Sequence, residues 1–142
     1  MWCQSRCAVF TNSSSTGGYG ESYCGGTLAS KIKGCGVDAV ILSGACPALS
    51  FLAIDETGVR FEPVPELAGL ETYAAEKAVL ERSGPGAGAM VIGPAGEKLA
   101  LCACIKSDTW RSLGRGGMGA VLGSKNVKGI SFAGARQAEV AE

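Results

Sequence analysis

Leu49-Ser50-Phe51-Leu52-Ala53-Ile54-Asp55-Glu56-Thr57-Gly58-Val59-Arg60-Phe61-Glu62-Pro63-Val64 decides the fold class. Two apolar runs, Leu49 to Ile54 and Val59 to Val64, flank the quartet Asp55-Glu56-Thr57-Gly58. A glycine takes a positive φ without strain, so this quartet between two apolar runs predicts a β-hairpin. On its N-terminal side, Asp38-Ala39-Val40-Ile41-Leu42 is a continuous apolar run before Ser43-Gly44, the pattern of a strand buried on both faces at the centre of a sheet. Further back, Thr27 to Cys35 has Leu28 and Ile32 four apart, Lys31 and Lys33 facing away, and Gly34 and Gly36 at its end, which predicts a short helix. Arg6 to Thr11 has the character of a short strand, and Asn12-Ser13-Ser14-Ser15-Thr16-Gly17-Gly18 is a loop by composition.

On the C-terminal side of the hairpin, Leu70, Tyr73, Ala74 and Ala78 recur at helical spacing, Lys77 and Glu81 stand four apart, and Gly84 follows, predicting the main helix over 70–82. The bend Gly84-Pro85-Gly86-Ala87-Gly88 then leads to a strand at Met90-Val91-Ile92, a turn at Gly93-Pro94-Ala95-Gly96, and a strand from Leu99 to Ile105. A glycine-rich loop comes next, in which Trp110 to Leu113 is not expected to be a strand, and a last strand lies near Val127 to Phe132. Strands outnumber helices and hairpins dominate, so the expected class is α+β: mostly antiparallel β-sheets with two short-to-medium helices, in one domain over 1–142.

Composition narrows the chemistry. The 142 residues carry 13 basic and 13 acidic side chains, 22 glycines and no histidine. Without histidine there is no Ser-His-Asp or Cys-His nucleophile, no His-ligated zinc and no imidazole base in this chain. The charge is uneven: seven acids and three bases lie between Asp55 and Arg82, whereas six bases and only Asp108 lie between Lys106 and Arg136. Overall neutrality argues against a nucleic-acid partner, and the basic second half favours a local phosphate ligand. The seven cysteines (Cys3, Cys7, Cys24, Cys35, Cys46, Cys102, Cys104) form no C-x-x-C pair and follow no secretory signal, which points to a reduced cytoplasmic compartment and to packing cysteines. Cys102 and Cys104 are expected on one side of the 99–105 strand. No apolar run approaches the roughly 20 residues of a membrane span, so no membrane partner is expected.

The chemistry-bearing stretch is Trp110 to Lys128, which packs five glycines and four bases into nineteen residues. Gly114, Gly116, Gly117 and Gly119 leave successive N–H groups unshielded, able to form an anion-binding nest, and Arg111 and Arg115 add forked donors that suit phosphate oxygens. Gly114-x-Gly116-x-x-Gly119 matches the letters of a dinucleotide fingerprint, but no strand-helix-strand crossover surrounds it. Gly123-Ser124-Lys125 has the phosphate-loop residues in the wrong order. A solvated glycine turn is the plainest alternative.

The same residues carry a resemblance. Arg115-Gly116-Gly117-Met118-Gly119-Ala120-Val121-Leu122-Gly123-Ser124-Lys125-Asn126-Val127-Lys128-Gly129-Ile130 resembles the R-G-G-x-G-A-V-x-G-S-K-N-x-K-x-I signature of the aldehyde ferredoxin oxidoreductase family, tungsten or molybdenum pterin enzymes. Ile92-Gly93-Pro94-Ala95-Gly96-Glu97, the segment from Gly25-Gly26 to Gly36-Val37-Asp38, and Arg6 with Thr16-Gly17 resemble further blocks of that family, in family order over 6–134. The resemblance implies an incomplete version of the family's amino-terminal domain, a base of two β-sheets under a bis-pterin cofactor (tungstopterin or molybdopterin) joined through phosphates and Mg2+. By position it implies that Arg6, Gly25, Arg111, Gly114, Arg115, Gly116 and Gly117 contact pterin rings or phosphates, with backbone groups around Tyr23 and Ser112 near the magnesium. Tyr23 stands where many members have Asn, and Asn12-Ser13-Ser14-Ser15 replaces Lys-Ser-Pro-Leu.

It further implies that the family's opening strands, its remaining pterin loops, the four cysteines of its [4Fe–4S] cluster and the acid/base residues at the metal lie outside this chain. None of the seven cysteines is assigned as a cluster ligand, and no residue here is assigned as catalytic or as a metal ligand by side chain. The expected partners are a chain or domains carrying the Fe–S cluster, with ferredoxin as acceptor when the complete enzyme oxidises an aldehyde to a carboxylic acid. Alone, the chain is expected not to turn over. Two other classes stay open: a non-redox phosphate- or pterin-binding module, and a non-functional fragment or interaction remnant whose open sheet edges pair with another chain.

Overall fold

In the computed structural model, which describes residues 5–136, the chain runs through β1 (Arg6–Asn12), β2 (Tyr19–Gly25), α1 (Leu28–Gly34), β3 (Ser50–Asp55), β4 (Gly58–Pro63), a 3-10 turn (Pro65–Leu67), α2 (Thr72–Ser83), β5 (Gly88–Val91), α3 (Pro94–Glu97), β6 (Ile105–Ser107), β7 (Arg111–Leu113), α4 (Met118–Ser124) and β8 (Val127–Phe132). β1 and β2 form a two-stranded antiparallel sheet, and the other six strands form a sheet in the order β4-β3-β8-β5-β6-β7. Only the β3–β8 pairing is parallel. The α+β class with mostly antiparallel pairing is therefore the observed one.

The predicted hairpin forms one edge of the large sheet, with Ser50 opposite Pro63 and Asp55 opposite Gly58. Gly58 takes the expected positive φ (146), and Asp55 Oδ1 accepts from the Thr57 amide at 2.7 Å and Oδ2 from Arg60 at 3.0 Å, a turn-stabilising role common to aspartate. Along β3 the side chains alternate between two cores, as a period of two requires. Phe51 and Ala53 pack with Ala75 and Val79 of α2, while Leu52 and Ile54 pack on the other face with Leu28, Met118 and Leu122. That second face also receives Cys24 of the hairpin, so α1, α4 and the small sheet all rest on it. The site therefore lies on the side of the large sheet away from α2.

Several expectations are corrected. Residues 38–42 are not a central strand: they are coil, and Ile41 is 91% exposed. The central position belongs to β8, buried at all six residues and paired on both sides, which leaves the 38–42 backbone no ladder to join among the described residues. Residues 99–104 are not a strand either, since Leu99 is left-handed (φ 57) and the Ala100 and Ala103 amides bond back to Ala95 and Ala100. Cys102 is consequently exposed and Cys104 half-buried, not paired in a core. The turn at 93–96 closes into the one-turn helix α3.

Trp110 to Leu113, expected outside the strands, contains β7, paired antiparallel with β6. The glycine-rich loop contains α4, whose Met118 and Leu122 lie four apart on a buried face. The described residues thus hold four α-helices where two were expected. Glycines inside α4 are there for close packing: a Cβ on Gly119 would reach 2.5 Å from Cys104 O, and one on Gly123 would collide with Gly96 O. β2 has no counterpart among the sequence expectations.

Candidate cofactor-binding site

Alternation along the β1–β2 hairpin separates a core face from an open face. Cys7, Val9, Ser22 and Cys24 turn inward, with Ser22 and Cys24 buried. Arg6, Phe10, Tyr19, Glu21 and Tyr23 are exposed. Arg6 stands opposite Gly25, Ala8 opposite Tyr23 and Phe10 opposite Glu21. Both tyrosine hydroxyls donate to Glu21 Oε2 at 3.1 Å, and Phe10 lies 6.3 Å from each ring. The Glu21 carboxylate, as acceptor and neighbouring charge, pushes the Tyr23 hydroxyl above its ordinary value.

β7 and the loop after it lie alongside β2. The Arg115 amide donates to Ser22 Oγ at 3.2 Å, so the buried serine of the hairpin anchors the glycine loop. Ser14 Oγ donates to Leu101 O and to Gly117 O at 3.2 and 3.1 Å, anchoring its far end. Ser112 Oγ accepts from Lys106 Nζ at 2.8 Å. At the junction, Asp108 accepts from the Thr27 amide and hydroxyl, both at 2.6 Å. A side chain on Gly26 (φ 104) would collide with that carboxylate and approach Arg111 Cγ at 3.3 Å. Glycine is required there by space and by conformation together.

All nine residues marked in the sequence, Arg6, Tyr23, Gly25, Arg111, Ser112, Gly114, Arg115, Gly116 and Gly117, are therefore carried by two adjoining pieces of structure, the open hairpin and the β7 loop. Among the described residues no ion pair includes Arg6, Arg111 or Arg115, and all three are exposed. Gly116 (φ 69) and Gly117 (φ 68) are both left-handed, and their amides find no backbone acceptor among the described residues. Gly114 has open space where a Cβ would stand, and a Cβ on Gly25 would meet only Ser5 O, in ordinary contact at 3.8 Å. Gly119 leaves the expected nest, because its amide donates to Ala103 O at 2.9 Å inside the fold. Sequence reasoning missed Ser22, Ser14, Lys106 and Asp108, whose support is exerted across 81 to 103 residues of chain or, for Lys106, across one strand pair.

Three uncommitted guanidiniums beside free amides and bare glycine backbone can hold an anionic, phosphate-bearing ligand through forked, charge-assisted bonds. The same residues are poorly equipped for acid/base or nucleophilic work. Burial pushes the Cys7 thiol up to about 11 and raises Cys24 as well, and the Asp108 carboxylate is occupied by Thr27. The described residues contain no cluster of three side chains suited to a metal ion. No helix among them is long and apolar enough to cross a membrane.

The sequence matches the family described as "Aldehyde ferredoxin oxidoreductase, N-terminal domain" over residues 1–134. Among curated proteins it is similar to the tungsten-containing aldehyde ferredoxin oxidoreductases of Pyrococcus abyssi (35% identity) and Pyrococcus horikoshii (33%), each over 96% of this chain and 23% of the relative. Among solved structures it is similar to a chain of the active-site complex BamBC of benzoyl coenzyme A reductase in complex with 1,5-dienoyl-CoA. That match has a TM-score of 0.87 and 33% identity, over 93% of this chain and 20% of the other. The chain thus spans about a quarter of the length of the curated relatives it matches.

Proposed function

Since the chain belongs to the aldehyde ferredoxin oxidoreductase family, as an N-terminal domain of it, we propose that it is the cofactor cradle of a tungsten or molybdenum oxidoreductase. The observation that carries this reading is that Arg6, Arg111 and Arg115, in no ion pair among the described residues, are exposed on the adjoining hairpin and β7 loop, the loop that also holds left-handed Gly116 and Gly117. This donor set fits the phosphates of a bis-pterin cofactor. Arg111 and Arg115 would clamp phosphate oxygens, Arg6 would add a third charge from the hairpin, and Gly25 and Gly114 would let a flat ring or a phosphate approach the backbone. Backbone oxygens around Tyr23 and Ser112 would hold the magnesium ion.

The cofactor, when bound, would supply oxygen and electron transfer for the oxidation of an aldehyde to a carboxylic acid. This chain's own residues bind, orient and neutralise charge. With no histidine, and with the two thiols of the hairpin raised by burial, the chain on this reading is inactive alone. The remaining polypeptide, fused or separate, would bring the other pterin loops, the [4Fe–4S] cluster and the contact with ferredoxin, in the cytoplasm. The similarity to the benzoyl coenzyme A reductase complex favours one second reading: the same cradle in an assembly that reduces an aromatic acyl-CoA.

The test is an affinity purification of the tagged chain from its native host with elemental analysis for tungsten, molybdenum and iron. Metal eluting with a partner polypeptide supports the cradle, and assay of that eluate with an aldehyde and with an aromatic acyl-CoA separates the two reactions. A metal-free eluate without partner sinks the oxidoreductase reading in favour of a lone fragment. Phosphate-ligand binding by the chain without any partner would favour the stand-alone module.

A further inference from the structure

We propose that Cys7 and Cys24 are a redox-active thiol pair, which closes into a disulfide across the β1–β2 hairpin on meeting a small disulfide oxidant. The two residues are directly opposed in the ladder. The Ser13 amide donates to Gly18 O at 2.8 Å, and every second pair down from it repeats that hydrogen-bonded type, which includes the pair of Cys7 with Cys24. Residues so paired stand about 5.5 Å apart at Cα, within the disulfide range, while their Cβ atoms, at the wide end of about 4.5–5.5 Å, must close to about 4 Å as the bond forms. Opposed side chains of an antiparallel pair also share one face. Here it is the inner face, since Cys24 is 3% exposed and Cys7 packs against the same core.

Reach and selectivity come from the surroundings. Cys7 lines a cavity of about 620 Å³ that it shares with Val9, Ile32, Leu42 and Phe132, wide enough to admit a small reagent. Cys24 Sγ donates to Gly25 O at 3.1 Å and must turn from it to meet Cys7, whereas the other described cysteines lack an opposed cysteine altogether: Cys35, Cys46, Cys102 and Cys104 lie outside the strands. Burial raises both thiols, so the pair reacts slowly at neutral pH and faster as pH rises: one sulfur, once deprotonated, attacks the reagent's S–S bond and releases one small thiol, and the second sulfur then displaces the other. Two protein S–H bonds and one reagent S–S bond become one protein S–S bond and two reagent S–H bonds, so the protein loses two electrons and two protons to the oxidant. The link would fasten together the strand ends that carry Arg6 and Gly25, coupling thiol state to the geometry of the anion site.

The full chain, freshly reduced, is treated with an excess of dithiodipyridine, blocked and digested with trypsin. Trypsin leaves both cysteines in one peptide, because no Lys or Arg lies between Cys7 and Lys31. The expected peptide is lighter by two hydrogens, about 2 Da. It stays in one piece after a glutamate-specific protease cuts at Glu21, until a reductant parts it. Cys7→Ser abolishes the link. Either of two results overturns the proposal: Cys7 and Cys24 stay free or each carry the reagent while exposed Cys102 reacts to completion, or the link forms equally well in chain unfolded with guanidinium.

Discussion

Gly114 and Gly117 lie three residues apart in one loop and answer to different forces. Gly117 is left-handed (φ 68), and a Cβ there would collide with Ser14 Oγ and Leu101 O. Gly114 has no positive φ and nothing within 4 Å of a Cβ. Gly117→Ala should therefore cost about 2–4 kcal/mol, combining left-handed strain with overpacking. Gly114→Ala should stay within about 0.5 kcal/mol and act, if at all, on ligand approach. Urea unfolding of the two variants checks this, and equal costs would refute the division of labour. The guanidiniums belong to the ligand side of that division. On the proposed function, Arg111→Ala and Arg115→Ala would each remove a charge-assisted contact of about 1.5–3 kcal/mol, so cofactor affinity should fall roughly tenfold or more for each, read as lost metal content in the purified assembly, while the unfolding midpoint stays put. Unchanged tungsten or molybdenum content in both variants would remove these arginines from the cradle.

At the scale of elements, α2 governs the site without touching it. Glu76, 5% exposed, accepts from the Thr109 amide at 3.0 Å. It thereby holds a turn in which Asp108 (φ 48) and Thr109 (φ 60) are both left-handed and which delivers Asp108 to Thr27 and Arg111 to β7. Burial raises the Glu76 pKa above 4.5, with the Asp108 charge adding to it. The folded chain thus keeps a proton that the unfolded chain gives up, so stability from this group is present in acid and lost as pH rises from 4.5 through the raised value. Glu76→Gln keeps an acceptor for Thr109 and removes the titration. Its unfolding midpoint relative to the native chain should improve steadily over that pH window, whereas a pH-independent difference would contradict the assignment. Which elements were legible follows from what each relies on. The β3–β4 hairpin and α2 are specified locally, by an aspartate turn and by helical spacing, and both were readable within a residue or two. α4 was hidden because glycines that read as a loop are small for a tertiary reason, the approach of Gly123 to Gly96 O and of Gly119 to Cys104 O. Residues 38–42 show the converse: an apolar run states that a segment prefers cover, and not where a ladder will admit it. The arginines and glycines of the site were legible because they are chemistry in a short stretch. Their supports, Ser22, Asp108 and Lys106, act through pairings that only the folded topology creates.

At the scale of the whole molecule, the large exposed apolar side chains bear on the remaining polypeptide. Ile41 is 91% exposed, Trp110 78%, Tyr19 72%, Phe61 62% and Phe10 57%. They lie in the 38–42 segment, beside β7, on the edge strand β4 and on the open face of the hairpin. The curated relatives are some four times as long as this chain, and on the proposed function these surfaces are where the remaining polypeptide would cover it. Without that cover they seek each other, because removing one isoleucine side chain from water is worth about 1.5–3 kcal/mol. The isolated chain should accordingly self-associate as its concentration rises, and Ile41→Lys should weaken that association roughly tenfold or more while leaving the unfolding midpoint unchanged, since an exposed coil residue supports no core. Sedimentation velocity over a concentration series reads both effects. A native chain that stays monomeric throughout would mean that these side chains are ordinary surface, and that the part of the relatives this chain does not span has no claim on them.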